Sequence, residues 1–346
     1  MQLAGIGKRC QLAPVFLRPI ASSAALAAVR CGPMLVASSD RHFSTSRLQT
    51  TLFVERKFRA SFVMRDRLMY DTKYAPPSLR ANSFVHFYIN MNGTIEVLGK
   101  PPVTGRQAWV LAETEFERVT PESLTFRSYG EPTVLLELRV PERDVTAPIG
   151  IRQGALPLSD ELWAIAERMK TTFVAKPEDS EAQLQTLVFA FMERLRDEKL
   201  ITSDLVSSAV RKEPDQYVRL WNAIRPLYAN YNTSASLREV AQNANVSLRQ
   251  LGRDLKDLTR TFGLFGDGFR DAIRVLRLRV AVMLMSAPDA TASEVSHVVG
   301  YGSLDAMGRA FRDAKMPPPS TVLAAVKWDP NRAAQRASSV APLPTE

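Results

Sequence analysis

A segment that occurs twice constrains a fold more tightly than composition can, because one supersecondary unit must serve in both places. Ser236-Leu-Arg-Glu-Val-Ala-Gln-Asn-Ala-Asn-Val runs into Ser247-Leu-Arg-Gln-Leu-Gly-Arg-Asp-Leu-Lys-Asp. Thr291-Ala-Ser-Glu-Val-Ser-His-Val-Val-Gly-Tyr runs, after Gly302, into Ser303-Leu-Asp-Ala-Met-Gly-Arg-Ala-Phe-Arg-Asp. With Gly302 as a gap, Ser247 pairs with Ser303, Gly252 with Gly308, Arg253 with Arg309, Lys256 with Arg312 and Asp257 with Asp313. Apolar positions pair too: Val240 with Val295, Leu251 with Met307, Leu255 with Phe311. Ser236-x-x-Glu239, Ser247-x-x-Gln250 and Thr291-x-x-Glu294 have the form of capping boxes, in which a hydroxyl takes a free N–H at a helix start and the acid or amide returns the bond. They place helix starts at 236, 247 and 291. About three residues are left between the first two helices, which is helix-turn-helix spacing.

The segment between the units, from Phe269 to Ser286, reads as one amphipathic helix, with Ile273, Leu276, Leu278, Ala281, Leu284 and Met285 on its buried side. Such a helix would hold the two units in a fixed relation. Tyr217 to about Asn230 is a further helix, with Leu220, Trp221, Ile224, Leu227 and Tyr228 inward and Pro226 as a kink.

Upstream, the period changes from helix to strand. Ser83–Asn90, Thr94–Leu98, Gln107–Leu111, Leu124–Arg127 and Thr133–Val140 are short β-rich runs with turn signals between them, Asn92-Gly93 being a hairpin signal. They predict a small antiparallel barrel or sandwich. Two helices follow, the second with Leu184, Leu187, Val188, Phe191, Met192 and Leu195 on one face. That stripe would pack on its own domain by default, or pair with a second subunit.

The chain carries a formal net charge of +9. Residues 211–329 hold 17 basic and 12 acidic residues, an excess that favours an anionic partner, nucleic acid first. A second basic stretch, residues 1–54, has six basic residues and one acid and is Ala/Ser-rich, which is mitochondrial transit composition. The alternative is a poorly ordered extension outside the fold, and residues 1–63 are assigned so. The two cysteines, Cys10 and Cys31, lie in that extension and give neither a disulfide framework nor a metal site. The histidines are His42, His86 and His297, too few for a histidine-ligated catalytic metal, and no cofactor or metal is expected. No apolar run approaches the roughly 20 residues of a membrane span.

The region from about Tyr217 to Val326 resembles the DNA-binding domain of AraC/XylS-type transcription regulators. The features that carry the resemblance are Ser236-Leu-Arg-Glu-Val-Ala, Val246-Ser247, Arg277-Leu278-x-x-Ala281-x-x-Leu284, Val299-Gly300-Tyr301, Met307-Gly-Arg-Ala-Phe-Arg312 and Pro319-Ser320. Three departures stand out. Thr259-Arg-Thr-Phe-Gly-Leu-Phe-Gly replaces the usual Gly-x-Ser-Pro turn, Met316 stands where glycine is usual, and the usual Phe/Tyr-Arg ending is missing. The resemblance implies an α+β protein with an N-terminal cupin-like antiparallel β-barrel plus helices, and a C-terminal all-α domain of two helix-turn-helix units joined by a long helix. The domains expected are 64–210 for effector sensing and dimerisation and 214–328 for DNA, with a disordered tail from 329 to 346. It also implies a non-enzymatic, homodimeric regulator with double-stranded DNA, a small-molecule effector and RNA polymerase as partners. A mainly bacterial family points to a cytoplasmic, nucleoid-associated protein and makes a mitochondrial one the lesser alternative. A cupin-type enzyme with a DNA domain, and an effector-independent DNA-binding protein, are the rival readings.

The residue types suit that role. Arg249, Gln250 and Arg253 project from the face opposite Leu248, Leu251 and Leu255, where Arg can bond guanine and Gln adenine. Lys256 sits later on the helix, at phosphate height. On the second helix Ser303, Asp305, Arg309 and Arg312 are the exposed candidates. Gly252 and Gly308, in mid-helix, signal either close approach of DNA or tight helix packing. In the β half, His86, Tyr88, Trp109 and Arg127 are the candidate effector contacts.

Overall fold

The computed structural model describes residues 34–327 except 75, 77–83, 98–104, 113–123, 128–130, 147–152, 209–212, 230–235 and 265–267. Nine-residue strands β1 (Leu35–Phe43) and β2 (Ser46–Val54) open the chain as a hairpin. They are followed by β3 (Arg59–Asp66), β4 (Met69–Asp71), β5 (Phe84–Asn92), β6 (Thr94–Val97), β7 (Gln107–Ala112), β8 (Leu124–Arg127), β9 (Thr133–Pro141) and β10 (Gln153–Pro157). Seven of these form one open antiparallel sheet in the order β1-β2-β3-β9-β5-β7-β10, and β4-β8-β6 form a second, small sheet. The helices are α1 (Asp160–Ala175), α2 (Ser180–Asp197), α3 (Ser203–Ser208), α4 (Asp215–Ala229), α5 (Leu237–Asn243), α6 (Leu248–Thr261), α7 (Phe269–Leu284), α8 (Ala292–Val298), α9 (Leu304–Asp313) and α10 (Pro319–Val326).

Two expectations are corrected here. Residues 35–63 are not a disordered extension: they supply β1, β2 and the start of β3. The alternation is faint in sequence because polar residues occupy inward positions, among them Ser39, Ser46, Gln49 and Thr51. Each is satisfied; Gln49 Nε2, for example, donates to the Phe173 carbonyl at 2.7 Å, so burial costs little. Nor does Asn92-Gly93 close a hairpin, since β5 pairs with β7 and β9 while β6 pairs with β8. The turn instead carries the chain between sheets. Gly93 has φ +87°, and a Cβ there would meet Thr133 Cγ2 at 2.6 Å. Residues 1–33 and 328–346 lie outside the described residues.

Both faces of the large sheet are buried. One carries Ala60, Phe62, Met64, Phe87, Ile89, Leu136 and Leu138 against α1 and α2. Phe62 meets Phe53 edge-on at 5.9 Å and Phe173 of α1 at 5.5 Å. The apolar face of α2 is wholly spent here, with Leu184, Leu187, Val188, Phe191, Met192 and Leu195 all buried within the chain. It is therefore not available to a second subunit.

The opposite face carries Val63, Tyr88, Trp109, Leu111 and Leu135, and it packs with β4 against Leu278, Ala281, Leu284 and Met285 and against the helices that follow α7. A third cluster joins Leu35, Ala37 and Val54 to α4 and to Leu251, Leu255 and Leu258 of α6. The two repeated units thus sit on different parts of the sheet. Polar contacts tie the halves as well: Trp221 Nε1 donates to the Val36 carbonyl (3.0 Å), and Ser286 Oγ accepts from the Met69 N–H (2.6 Å).

At the β2–β3 turn, Arg56 forks onto the buried Glu213 carboxylate, Nε at 2.8 Å and Nη2 at 2.7 Å. Beside it, burial, opposed by a hydrogen bond from the Arg56 N–H and reinforced by the Glu213 charge, pushes the Glu55 carboxyl up to about 7 from its ordinary 4.5. The folded chain therefore binds more protons here than the unfolded chain between those values. The stability this contributes is complete below the window and is lost as pH rises through it. Unfolding by denaturant at pH 5 and pH 8 is expected to differ on this account by on the order of 2–3 kcal/mol, the more stable state at pH 5, and Glu55→Gln removes that share.

Candidate nucleic-acid interface and effector site

The two repeated units fold alike, bond by bond. Ser236 and Thr291 cap α5 and α8 with full capping boxes, through Glu239 and Glu294. Each helix ends in the same motif. Asn245 (φ +53°) and Gly300 (φ +84°) take the left-handed position after the helix. Their N–H groups donate to the Gln242 and His297 carbonyls, and those of Val246 and Tyr301 reach back to Ala241 and Ser296. This paired closure is the Schellman turn, which satisfies carbonyls that a helix end leaves open. Ser247 and Ser303 then cap α6 and α9 by accepting from the Gln250 and Ala306 N–H groups.

The buried side of α6 is Leu251, Leu255 and Leu258, and that of α9 is Met307, Ala310 and Phe311. Arg249, Arg253, Lys256 and Arg260 are exposed on α6, and Ser303, Asp305, Arg309 and Arg312 on α9. The expected DNA-facing residues are thus on the outer surfaces of the two second helices, with one reassignment. Gln250 is half-buried, and its amide is engaged within the helix, Nε2 on Asp254 Oδ1 at 2.5 Å and Oε1 receiving Arg253 Nη2 at 2.6 Å. It completes no capping box, and its geometry suits holding the Arg253 guanidinium rather than reading adenine. The Ser303 hydroxyl is engaged in the cap, and Asp305 lies in the first turn, where an acid favours the macrodipole. Leu248, expected on the buried face, is instead exposed, as is its counterpart Leu304.

At Gly252 and Gly308 the structure bears on one of the two readings, that of tight packing. A Cβ on either would meet nothing within 4 Å, so tight helix packing does not account for them. After α6, the chain turns at Gly263 (φ +58°), where the sequence departs from the usual Gly-x-Ser-Pro pattern. The Gly263 carbonyl accepts from Arg139 Nη1 of the sheet at 3.2 Å.

The β half holds a buried polar network on the sheet face turned to α7. Register sets His86 beside Arg139 and Tyr88 between Glu137 and Trp109. His86 Nδ1 lies 2.9 Å from Glu137 Oε1, and its ring stacks on Tyr88 at 5.6 Å. Burial pushes the Glu137 carboxyl up, but the His86 hydrogen bond and the charges of His86, Arg279 and Arg59 outweigh it and hold it well below the usual range. Arg65 of β3 and Arg279 of α7 both lie over the Tyr70 ring, at 5.6 and 5.9 Å. Burial lowers Arg65 to about 10. The indole N–H of Trp109 is buried with no hydrogen-bond partner among the described residues. Three of the four expected effector contacts, His86, Tyr88 and Trp109, are therefore together; the Arg127 side chain lies outside the described residues, although its backbone on β8 pairs with Met69. Sequence reading missed Arg59, Arg65, Glu137, Arg139 and Arg279. The β3 and β9 arginines carry a signal of their own, since charges at alternate positions of an otherwise apolar strand share one face. Among the described residues no group of three or more His, Cys, Asp or Glu could hold a metal ion, and no helix is long and apolar enough to cross a membrane.

Two helix-turn-helix units on one connecting helix, behind a β-sheet with two helices, make the architecture that the AraC/XylS resemblance implies, with an open sheet in place of a closed barrel. No family model matches the chain, and no curated protein does. Solved structures give distant fold likenesses. A variant of ToxT from Vibrio cholerae in its apo form is 10% identical, with a TM-score of 0.35, covering 77% of this chain and 98% of that one. Wild-type ToxT from Vibrio cholerae with an unsaturated fatty acid bound is 12% identical, with a TM-score of 0.33, covering 80% and 99%. The AraC-like transcriptional activator CuxR is 12% identical, with a TM-score of 0.24, covering 68% and 81%. Likeness at this level speaks neither to a DNA sequence nor to a ligand.

The open space around Gly252 and Gly308 has a direct consequence for stability. Alanine restores helix propensity at no steric cost, so Gly252→Ala and Gly308→Ala are each expected to stabilise the chain by about 0.5–1 kcal/mol. Thermal unfolding should show a raised Tm for both; a lowered one would mean that these helix backbones have a neighbour after all.

Proposed function

We propose that the protein is a sequence-specific, DNA-binding transcription regulator controlled by a small molecule held in its β half. The observation that carries the reading is the repetition of a complete device. Cap, Schellman turn, second cap and outward arginine recur in the same order in two units joined by α7. A second helix of this kind lies in the major groove with its first residues at base edges, and two units on one support address two groove segments about 10 bp apart. Arg253 and Arg309 are the base-reading residues. Arg249 assists the first, while Lys256, Arg260 and Arg312 fall nearer the phosphates.

The same arrangement supports a sensing role for the β half. Arg279, on the helix that links the two units, reaches Tyr70 and lies in the field of Glu137. A ligand that changed the charge or hydrogen bonding around His86, Tyr88 and Trp109 would act directly on that helix. A dimer, which the family resemblance also implies, needs a surface other than the apolar face of α2. RNA polymerase is the partner that an activator would require.

Two measurements test the reading on the full chain, because the sheet and the helical half share hydrophobic clusters. In mobility-shift titrations against duplexes selected from a random pool, Arg253→Ala/Arg309→Ala should retain its fold but lose about 1–3 kcal/mol of discrimination per arginine. Wild-type affinity should fall steeply with salt, by a slope near 0.9 per phosphate neutralised; unchanged sequence preference in the double variant refutes the assignment. For the β half, a small molecule that raises Tm in a screen should also shift DNA affinity, and Trp109→Phe, which removes the free indole N–H, should weaken that shift. A hit that moves Tm and leaves DNA affinity alone argues against sensing.

A further inference from the structure

Large apolar side chains with substantial exposure are few among the described residues: Val174 at 48%, Leu248 at 51% and Leu304 at 40%. Val174 stands alone on α1. The other two occupy the same place in the repeat, the first residue of α6 and of α9, directly after the capping serines. A leucine exposed once on a surface needs no explanation. Here it is exposed twice, at equivalent positions.

What surrounds each leucine indicates what covers it. Residues four apart share a helix face, so Leu248 stands above Gly252, and Leu304 above Gly308. Neither glycine has an atom within 4 Å of where a Cβ would be. Each recognition helix therefore presents an apolar knob, then a notch that brings its backbone within reach of a large flat partner, then an exposed arginine, Arg253 or Arg309. On α6 the same outer surface adds Arg249, Lys256 and Arg260. A protein partner of matching chemistry would be apolar and acidic together. In DNA those two properties coincide by construction: phosphates flank a groove in which one base, thymine, exposes a methyl group.

We propose that Leu248 and Leu304 are specificity residues that each receive the C5-methyl group of a thymine in the major groove, with Gly252 and Gly308 letting the helix seat deeply enough for that contact. The inference rests on the DNA-binding reading above and adds to it the base recognised. Thymine then lies at the leading end of each half-site, ahead of the base pair that the arginine reads.

Deoxyuridine isolates the methyl group, since it pairs as thymidine does and lacks only that group. A duplex selected by the full-length protein from a random pool is resynthesised with each thymidine in turn replaced by deoxyuridine. With wild-type protein, replacement at one position in each of two segments about one helical turn apart is expected to weaken binding roughly 4-fold, the value of burying one methyl group. With Leu248→Ala the penalty should vanish in one segment and persist in the other, and Leu304→Ala should do the converse. Both variants are expected to keep the wild-type Tm, because the side chains removed are exposed. Gly252→Ala and Gly308→Ala supply a second arm, in which DNA affinity falls while Tm does not. Uracil penalties that are absent, or that survive both leucine substitutions, overturn the proposal while leaving DNA binding in place. Loss of self-association in the leucine variants by sedimentation, with uracil penalties unchanged, overturns it in favour of a second copy of the chain as the occupant. Failure to select any duplex overturns the DNA-binding reading and this inference with it.

Discussion

A β-sheet with apolar side chains on both faces must be covered twice, and this protein is built around that requirement. α1 and α2 cover one face, and the small sheet together with α7 and its neighbours covers the other. Burial of this kind is non-directional and scales with area, so it fixes that the helical half lies on the sheet, not which atoms meet. The specific pairs do that. Trp221 on the Val36 carbonyl, Ser286 on the Met69 N–H and Arg56 on Glu213 set the register between halves that hydrophobic contact alone would allow to slide.

Covering the second face with the helix-turn-helix half has an electrostatic cost, because the linking helix that supplies Leu278 and Ala281 also carries Arg274, Arg277 and Arg279. Arg277 lies over the Tyr301 ring at 5.7 Å, and Arg274 bonds Asp271 at 2.5 Å. Arg279 turns into the polar network around Glu137, whose lowered carboxyl supplies the compensating charge. A buried charge persists only where it is paired and hydrogen-bonded. The network thus offsets the burial of Arg279 where α7 lies on the sheet, and it joins the β half to the helix that links the two units.

The parts of this design that were legible in the sequence are those governed by local rules. Helix starts at Ser236, Ser247 and Thr291 are written in hydroxyls, and five strands in alternation. β1 and β2 were not legible, because Gln49 and Thr51 point inward and satisfy themselves on distant partners that no local pattern reveals. The Asn92-Gly93 turn was legible as a turn, but which sheet each flanking strand joins depends on non-local pairing. In the candidate DNA-facing surface the arginines stood out. The engagement of Gln250 with Asp254 and Arg253, and the exposure of Leu248, did not, since periodicity cannot tell a residue at the edge of a helix face from one within it. The arginines of the β-half network escaped notice because a charge in a strand reads as solvent-facing until both faces are known to be covered.

The turn in the second unit is longer than that in the first by one residue, Gly302, and the two outward surfaces differ in charge, with Asp305 where the first unit has Arg249. Two unlike units on one support have no symmetry axis between them. Under the proposed function, a chain that engages a duplex through both distinguishes upstream from downstream without a second subunit. Its footprint need not be palindromic, and one bound copy has a defined polarity along the double helix, so that whatever it recruits is presented on one side of the site and not the other.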